Sequence, residues 1–94
     1  MIIVAGWLRT DAAARDAYVA GCHHVVEQAR RSPGCLAYTI DADPLDPTRV
    51  NVYERWTGET PMLAFRDSGP DPAQQAEIVD ASVRRYEISA VAEA

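Results

Sequence analysis

The chain has 94 residues, 48% of them hydrophobic, and a formal net charge of −5. That length holds one domain, spanning 1–94, with a thin core, and the composition excludes a disordered chain. The acidic balance excludes a nucleic-acid partner of the usual kind, which needs a basic face.

Residues 2–9, "IIVAGWLR", read as a strand with apolar residues at both parities. Ile2, Val4 and Leu8 fall on one face, Ile3, Ala5 and Trp7 on the other, so this strand is expected to be covered on both sides. The apolar start is too short for a membrane span, lacks a basic flank and soon meets Arg9 and Asp11. It reads as neither signal peptide nor membrane segment, and a cytoplasmic location is expected.

Thr10 or Asp11 then caps a long helix. Tyr18, Cys22, Val25, Val26 and Ala29 recur at spacings of three and four, forming one core-facing stripe. Gly21 is a local weak point, and Arg30-Arg31 followed by Ser32-Pro33-Gly34 stops the helix. Residues 35–41 alternate Leu36, Tyr38, Ile40 against Ala37, Thr39, Asp41 and form a second strand. After a Pro/Asp loop, residues 49–56 complete a hairpin. A short helix carries Met62, Leu63 and Phe65; another is expected from Asp71-Pro72 through about Val79; residues 82–89 are a last strand.

The order is β-α-β-β-α-β, the ferredoxin-like split pattern of an α+β fold. Four antiparallel strands carry helices on one face, and the apolar first strand predicts that a second copy covers the other. A homodimer through the sheet face follows.

The segments "SPGCLAYTI" and "DPTRVNVYERWTGETPMLAF" together resemble the antibiotic biosynthesis monooxygenase (ABM) family of the dimeric α/β-barrel superfamily. Pro33-Gly34-Cys35-Leu36 and Glu54-x-Trp56 carry the most specific part of the resemblance. The resemblance implies a pocket between sheet and helices in each subunit. Some members oxidise polycyclic phenols to quinones with O₂ and no metal or flavin; others open haem, act on quinols or process small signalling molecules.

By the resemblance, Trp56 matches a pocket-lining tryptophan. Quinone-forming members also carry an Asn four residues earlier, where this chain has Val52; Asn51 is one residue off and points to the opposite face. Haem-opening members place an iron ligand where this chain has Phe65, so haem is not expected. Glu54, on the face of Trp56, reads either as a general base for a phenol or as a structural acid paired with an Arg such as Arg84 or Arg85. Trp56 itself reads either as a pocket donor or as core. The expected site joins Trp56 and Glu54 to walls formed by Tyr18, Cys22, Val52, Met62, Leu63 and Phe65.

Other features carry less. His23 and His24 lie about 100° and 200° from Cys22 on the helical wheel, and neither suits a pocket base. Asp41, Asp43 and Asp46 lack the closing Glu and the Gly of a calcium loop. Cys22 and Cys35 have no zinc or redox spacing and read as buried thiols. No metal or cofactor is expected, and the partners are a second copy and a small aromatic ligand.

The function expected is thus a cofactor-independent monooxygenase of the ABM type, acting on an aromatic, polyketide-like or quinol substrate. The alternatives are a ligand-binding or stress-related dimer without turnover, and a cofactor-free isomerase or decarboxylase on the same scaffold.

Overall fold

The computed structural model describes residues 1–67 and 77–94. Strand β1 (Ile2–Arg9) leads to helices α1 (Ala12–Gly21) and α2 (His23–Arg31), then to the hairpin β2 (Cys35–Ala42) and β3 (Arg49–Trp56). Helix α3 (Glu59–Asp67) and strand β4 (Asp80–Glu87) follow among the described residues. The four strands form one antiparallel sheet in the order β2-β3-β1-β4. The helices pack on one face, giving the expected ferredoxin-like α+β fold. The apolar β1 lies inside the sheet, hydrogen-bonded on both edges, as a strand of its composition should.

Register fixes which side chains share a face. Val4 pairs with Glu54 of β3 and with Arg85 of β4, so all three point toward the helices. The parity of β4 that the sequence left open is thereby settled: Arg85 faces the helices and Arg84 the opposite side. Gly6 sits opposite Val83, and β4 runs so close that an added Cβ would lie 2.7 Å from the Val83 Cα.

Three local expectations are corrected. The first helix is not continuous: it breaks at Cys22, whose N–H bonds the Val19 carbonyl in a tighter turn before α2 restarts. The poor helix former Gly21 sits at that joint. Asp11 is the N-cap of α1, but its side chain makes no capping bond. Second, the alternation of β2 fails at Leu36. A bulge between Cys35 and Ala37 turns Leu36 outward, 43% exposed, and puts Cys35 on the face of Tyr38. Third, β4 begins and ends two residues earlier than the expected 82–89. The helix expected from Asp71 falls mostly outside the described residues; 77–79 are not helical.

The Pro33-Gly34 pair has a physical reason. Gly34 adopts φ +82°, and its carbonyl accepts the Thr57 N–H at 2.8 Å. A Cβ there would meet Pro61 at 2.6 Å. Only glycine lets the α2–β2 turn lie against the start of α3, and this contact fixes α3 over the end of β3.

Among the described residues two apolar groups form the core. Ile2, Val4, Ala29, Tyr38, Trp56 and Met62 pack at one end of the sheet, with Phe65 against them. Tyr18, Cys22 and Val50 pack at the other.

Candidate functional site

Strand β3 places Glu54 and Trp56 two residues apart on the helix-covered face. Trp56 is fully buried and Glu54 is 6% exposed. The Trp56 indole N–H donates to Glu54 Oε1 at 2.9 Å. The second oxygen, Oε2, faces Arg66 Nη2 of α3 at 3.4 Å. Each carboxylate oxygen thus has a donor, which is how a buried acid is tolerated. The expected pairing of Glu54 with an arginine is found, but the arginine is Arg66 and not Arg84 or Arg85, because α3 crosses this end of β3 and β4 lies two strands away.

Aromatic rings enclose the acid. Tyr38 lies opposite Glu54 in the β2–β3 register, edge-on to Trp56 at 6.5 Å and to Phe65 at 5.6 Å. Phe65 lies over Trp56 at 5.5 Å. Burial, reinforced by the charge of Glu54, pushes the Tyr38 hydroxyl well above the usual phenol range. Tyr38 therefore stays protonated at neutral pH and cannot serve as a base there. Tyr18 is raised too, by burial first and then by Cys22. Burial likewise raises the Cys35 thiol, and neither cysteine is in a disulfide. Cys22 is buried as expected, Cys35 half-buried.

A cleft of about 250 Å³ opens beside this group, between α3 and the strands β1 and β4. Val4 and Val83 line its sheet side; Met62, Leu63 and Arg66 come from α3, and Arg84 and Arg85 from β4. Three residues tie the cleft to the buried acid, among them Val4, which lines it and pairs with Glu54 across the sheet. Arg66 lines it and bonds Glu54, and Met62 lines it and packs in the cluster of Trp56. Arg85 is held from α3 by Glu59 at 2.6 Å.

The expected site residues therefore divide. Glu54, Trp56, Met62, Leu63 and Phe65 gather at the α3 end of the sheet. Tyr18 and Cys22 pack around Val50 at the other end, and Val52 is buried on the same face between. The indole N–H of Trp56 is directed at Glu54, so its polar end holds the acid in place.

Arg66 was missed by sequence reasoning, though a signal existed: it follows Met62 by four residues and so shares its helix face. His24 is exposed, as its wheel position predicts, and His23, expected on the flank, is exposed too. Asp43 and Asp46 close the β2–β3 loop, accepting the N–H groups of Leu45, Asp46 and Thr48. Among the described residues no cluster of three or more His, Cys, Asp or Glu could hold a metal. Asn51 lies on the uncovered face, joined to Asp43 and Arg49, far in orientation from Glu54.

With this geometry in place, the chain can be compared with known proteins. The family model described as "Antibiotic biosynthesis monooxygenase" matches residues 1–78. The chain belongs to this family. Among solved structures, a Nitrosomonas europaea protein assigned to the antibiotic biosynthesis monooxygenases is 17% identical, with a TM-score of 0.82 over 96% of this chain and 100% of that one. One from Chloroflexus aurantiacus, assigned likewise, is 24% identical, with a TM-score of 0.77 over 98% of this chain and 96% of the other. A conserved protein from Methanosarcina mazei is 15% identical, with a TM-score of 0.78 over 90% and 89%. At such identities the likeness shows the shared ABM fold alone. No protein of curated function matches the chain significantly.

Proposed function

We propose that this ABM protein is a cofactor-independent oxygenase that takes a phenolic or quinol substrate into the cleft between α3 and β4. The observation that carries the reading is the buried Glu54, held by Trp56 and by Arg66, with Arg66 also lining that cleft. A phenol that loses its proton becomes electron-rich enough to pass an electron to O₂ directly. In the overall conversion of phenol to quinone, one oxygen atom of O₂ becomes the second carbonyl. The other leaves as water, carrying the phenolic hydrogen and one ring hydrogen. The protein has to bind the ring, favour the anion and exclude water. Met62, Leu63, Val4 and Val83 supply an apolar bed, and the guanidinium of Arg66 supplies charge for the phenolate. Glu54 stands behind Arg66, and its Oε2 is the candidate proton acceptor once the Arg66 guanidinium turns from it to the substrate oxygen, with Trp56 as its positioning residue.

The reading includes a homodimer through the uncovered sheet face. Tyr53 and Tyr86 are exposed there, at 37% and 48%, and Trp7 lies among them only half-buried. A second reading, a ligand-binding dimer without turnover, is favoured by one observation. Val52 puts an apolar side chain on the covered face where quinone-forming relatives carry an amide.

An oxygen electrode separates the two. Against a panel of polycyclic phenols and hydroquinones, the oxygenase reading expects O₂ uptake that falls by about tenfold or more in Glu54→Gln. No uptake above background with any compound sinks it and leaves the binding protein.

A further inference from the structure

The protein carries more acid than base, 14 acidic residues against 9 basic ones. The α3–β4 cleft inverts that balance: among the described residues its lining includes Arg66 and Arg85, with Arg84 at its border on the outward parity of β4, and no acidic side chain. Two of the three arginines come from opposing walls. Arg66 stands on α3 and is 48% exposed; Arg85 stands on β4, on the helix-facing side, and is 37% exposed.

Both guanidinium groups keep donors for a ligand. Each has five N–H donors. Among the described residues Arg66 meets one acid, at 3.4 Å, through an oxygen of Glu54 that lies behind it in the core. Arg85 meets Glu59 and Glu87, whose side chains are 55% and 79% exposed. Such solvated pairs are weak and are readily exchanged for a better-placed oxyanion. Arg84 pairs with no acid among the described residues. The planar guanidinium fork suits a carboxylate or another flat oxyanion better than a neutral carbonyl.

The remaining lining is apolar: Val4, Met62, Leu63 and Val83. A cleft of about 250 Å³ accommodates one or two fused rings rather than a long polycycle. We infer that the cleft selects an anionic aromatic ligand, its oxyanion set between Arg66 and Arg85 and its ring on the apolar bed. Glu54 then acts as a positioning residue for Arg66. This rests on the preceding section for the choice of cleft, not for the oxygenation. It names a ligand class that carries its charge before any proton is removed, a ring carboxylate above all.

The test uses 2-naphthoate and its neutral isostere 2-naphthamide, titrated into the full chain by calorimetry and followed at the methyl signals of Leu63 and Val83. 2-Naphthoate should bind about tenfold tighter than the amide, and its binding should weaken with salt. Arg66→Gln and Arg85→Gln should each lower naphthoate affinity by about fivefold or more and leave the amide unchanged. Arg85→Gln is the safer variant, because its side chain lies on an edge strand, is 37% exposed and pairs only with exposed acids among the described residues.

Equal affinity for the two probes overturns the inference. So does undetectable naphthoate binding, or signal changes confined to the separate groove of Pro33, Pro61 and Phe65. The two readings fail separately. Naphthoate selectivity without any O₂ uptake from phenols removes the oxygenase and keeps the anion site. O₂ uptake from neutral phenols without anion selectivity does the reverse.

Discussion

On the helix-covered face of the sheet, one acid is sealed among rings: Glu54, with Trp56, Tyr38 and Phe65 around it. On the uncovered face the charges are spread in a chain. Trp7 lies under the guanidinium groups of Arg9 and Arg49, at 4.9 and 5.9 Å, and Arg49 bonds Asn51, which bonds Asp43. Both faces use an indole and a carboxylate, yet they differ in what water can reach. A sealed acid depends on its few donors, so losing one is expensive. An open network can replace any lost partner with solvent. Strand β3 supplies both faces by simple alternation, and a single strand therefore serves a buried site and an outward surface at once.

The strongest way to break this contrast is to truncate each indole. Trp56→Ala empties the centre of the covered face and should cost about 3–5 kcal/mol of stability. Trp7→Ala removes a half-exposed ring and its cation–π contacts, which should cost the folded monomer about 1 kcal/mol or less. Urea unfolding at low protein concentration reads both. Light scattering should separate them further, with Trp7→Ala shifting the proposed dimer toward monomer. Equal losses of stability would mean that the two faces are not different in kind.

The middle-sized effect sharpens the role of Glu54. Glu54→Leu leaves the Trp56 N–H buried without an acceptor, at about 1–3 kcal/mol. Glu54→Gln keeps an acceptor for that N–H and loses only the charge facing the half-exposed Arg66, so it should cost about 1 kcal/mol or less. The gap between the two unfolding midpoints isolates the indole hydrogen bond. No gap would mean that the bond contributes nothing.

Much of this architecture is legible in the sequence, for reasons that differ by element. β1 and β3 are plain because their patterns span a whole strand and agree with their neighbours. Parity groups Val52, Glu54 and Trp56 against Asn51, Tyr53 and Arg55, and the family resemblance points to the first group as the one under the helices, where the structure has it. Leu36 misleads because a bulge is one extra residue and leaves no mark on composition. β4 is ambiguous because "SVRRYEIS" has no clean alternation, and its side chains are nearly all exposed in the edge strand. The site was legible in type but not in place. Tyr18 and Cys22 lie on the correct stripe of the first helix, yet they pack over Val50, and the part of the stripe that reaches the Trp56 cluster is Ala29 of α2. Crossing position depends on turns such as the Gly34–Pro61 contact, which single residues in the sequence do not announce.

The smallest effect lies wholly on the open side, in the β2–β3 loop. Asp43 accepts the Asn51 side chain first, then the N–H groups of Asp46 and Leu45, and these bonds lower its carboxyl from 3.8 to about 2. Asp46 is lowered as well, chiefly by the backbone N–H and the hydroxyl of Thr48. A depressed folded value means that the ionised acid supports the fold. That support is complete above the ordinary carboxylate value and is lost as pH falls from 3.8 through about 2. The Leu45 and Asp46 amide signals should therefore titrate with a midpoint near 2, and Asp43→Asn should abolish that step. Because Asp43 reaches the loop and Asn51 but not Glu54, the Met62 and Trp56 signals should not follow this titration. A midpoint at 3.8 or above would show that the loop bonds do not form in solution. If the core signals moved in step with the loop, the two faces of β3 would be one coupled unit rather than two independent surfaces.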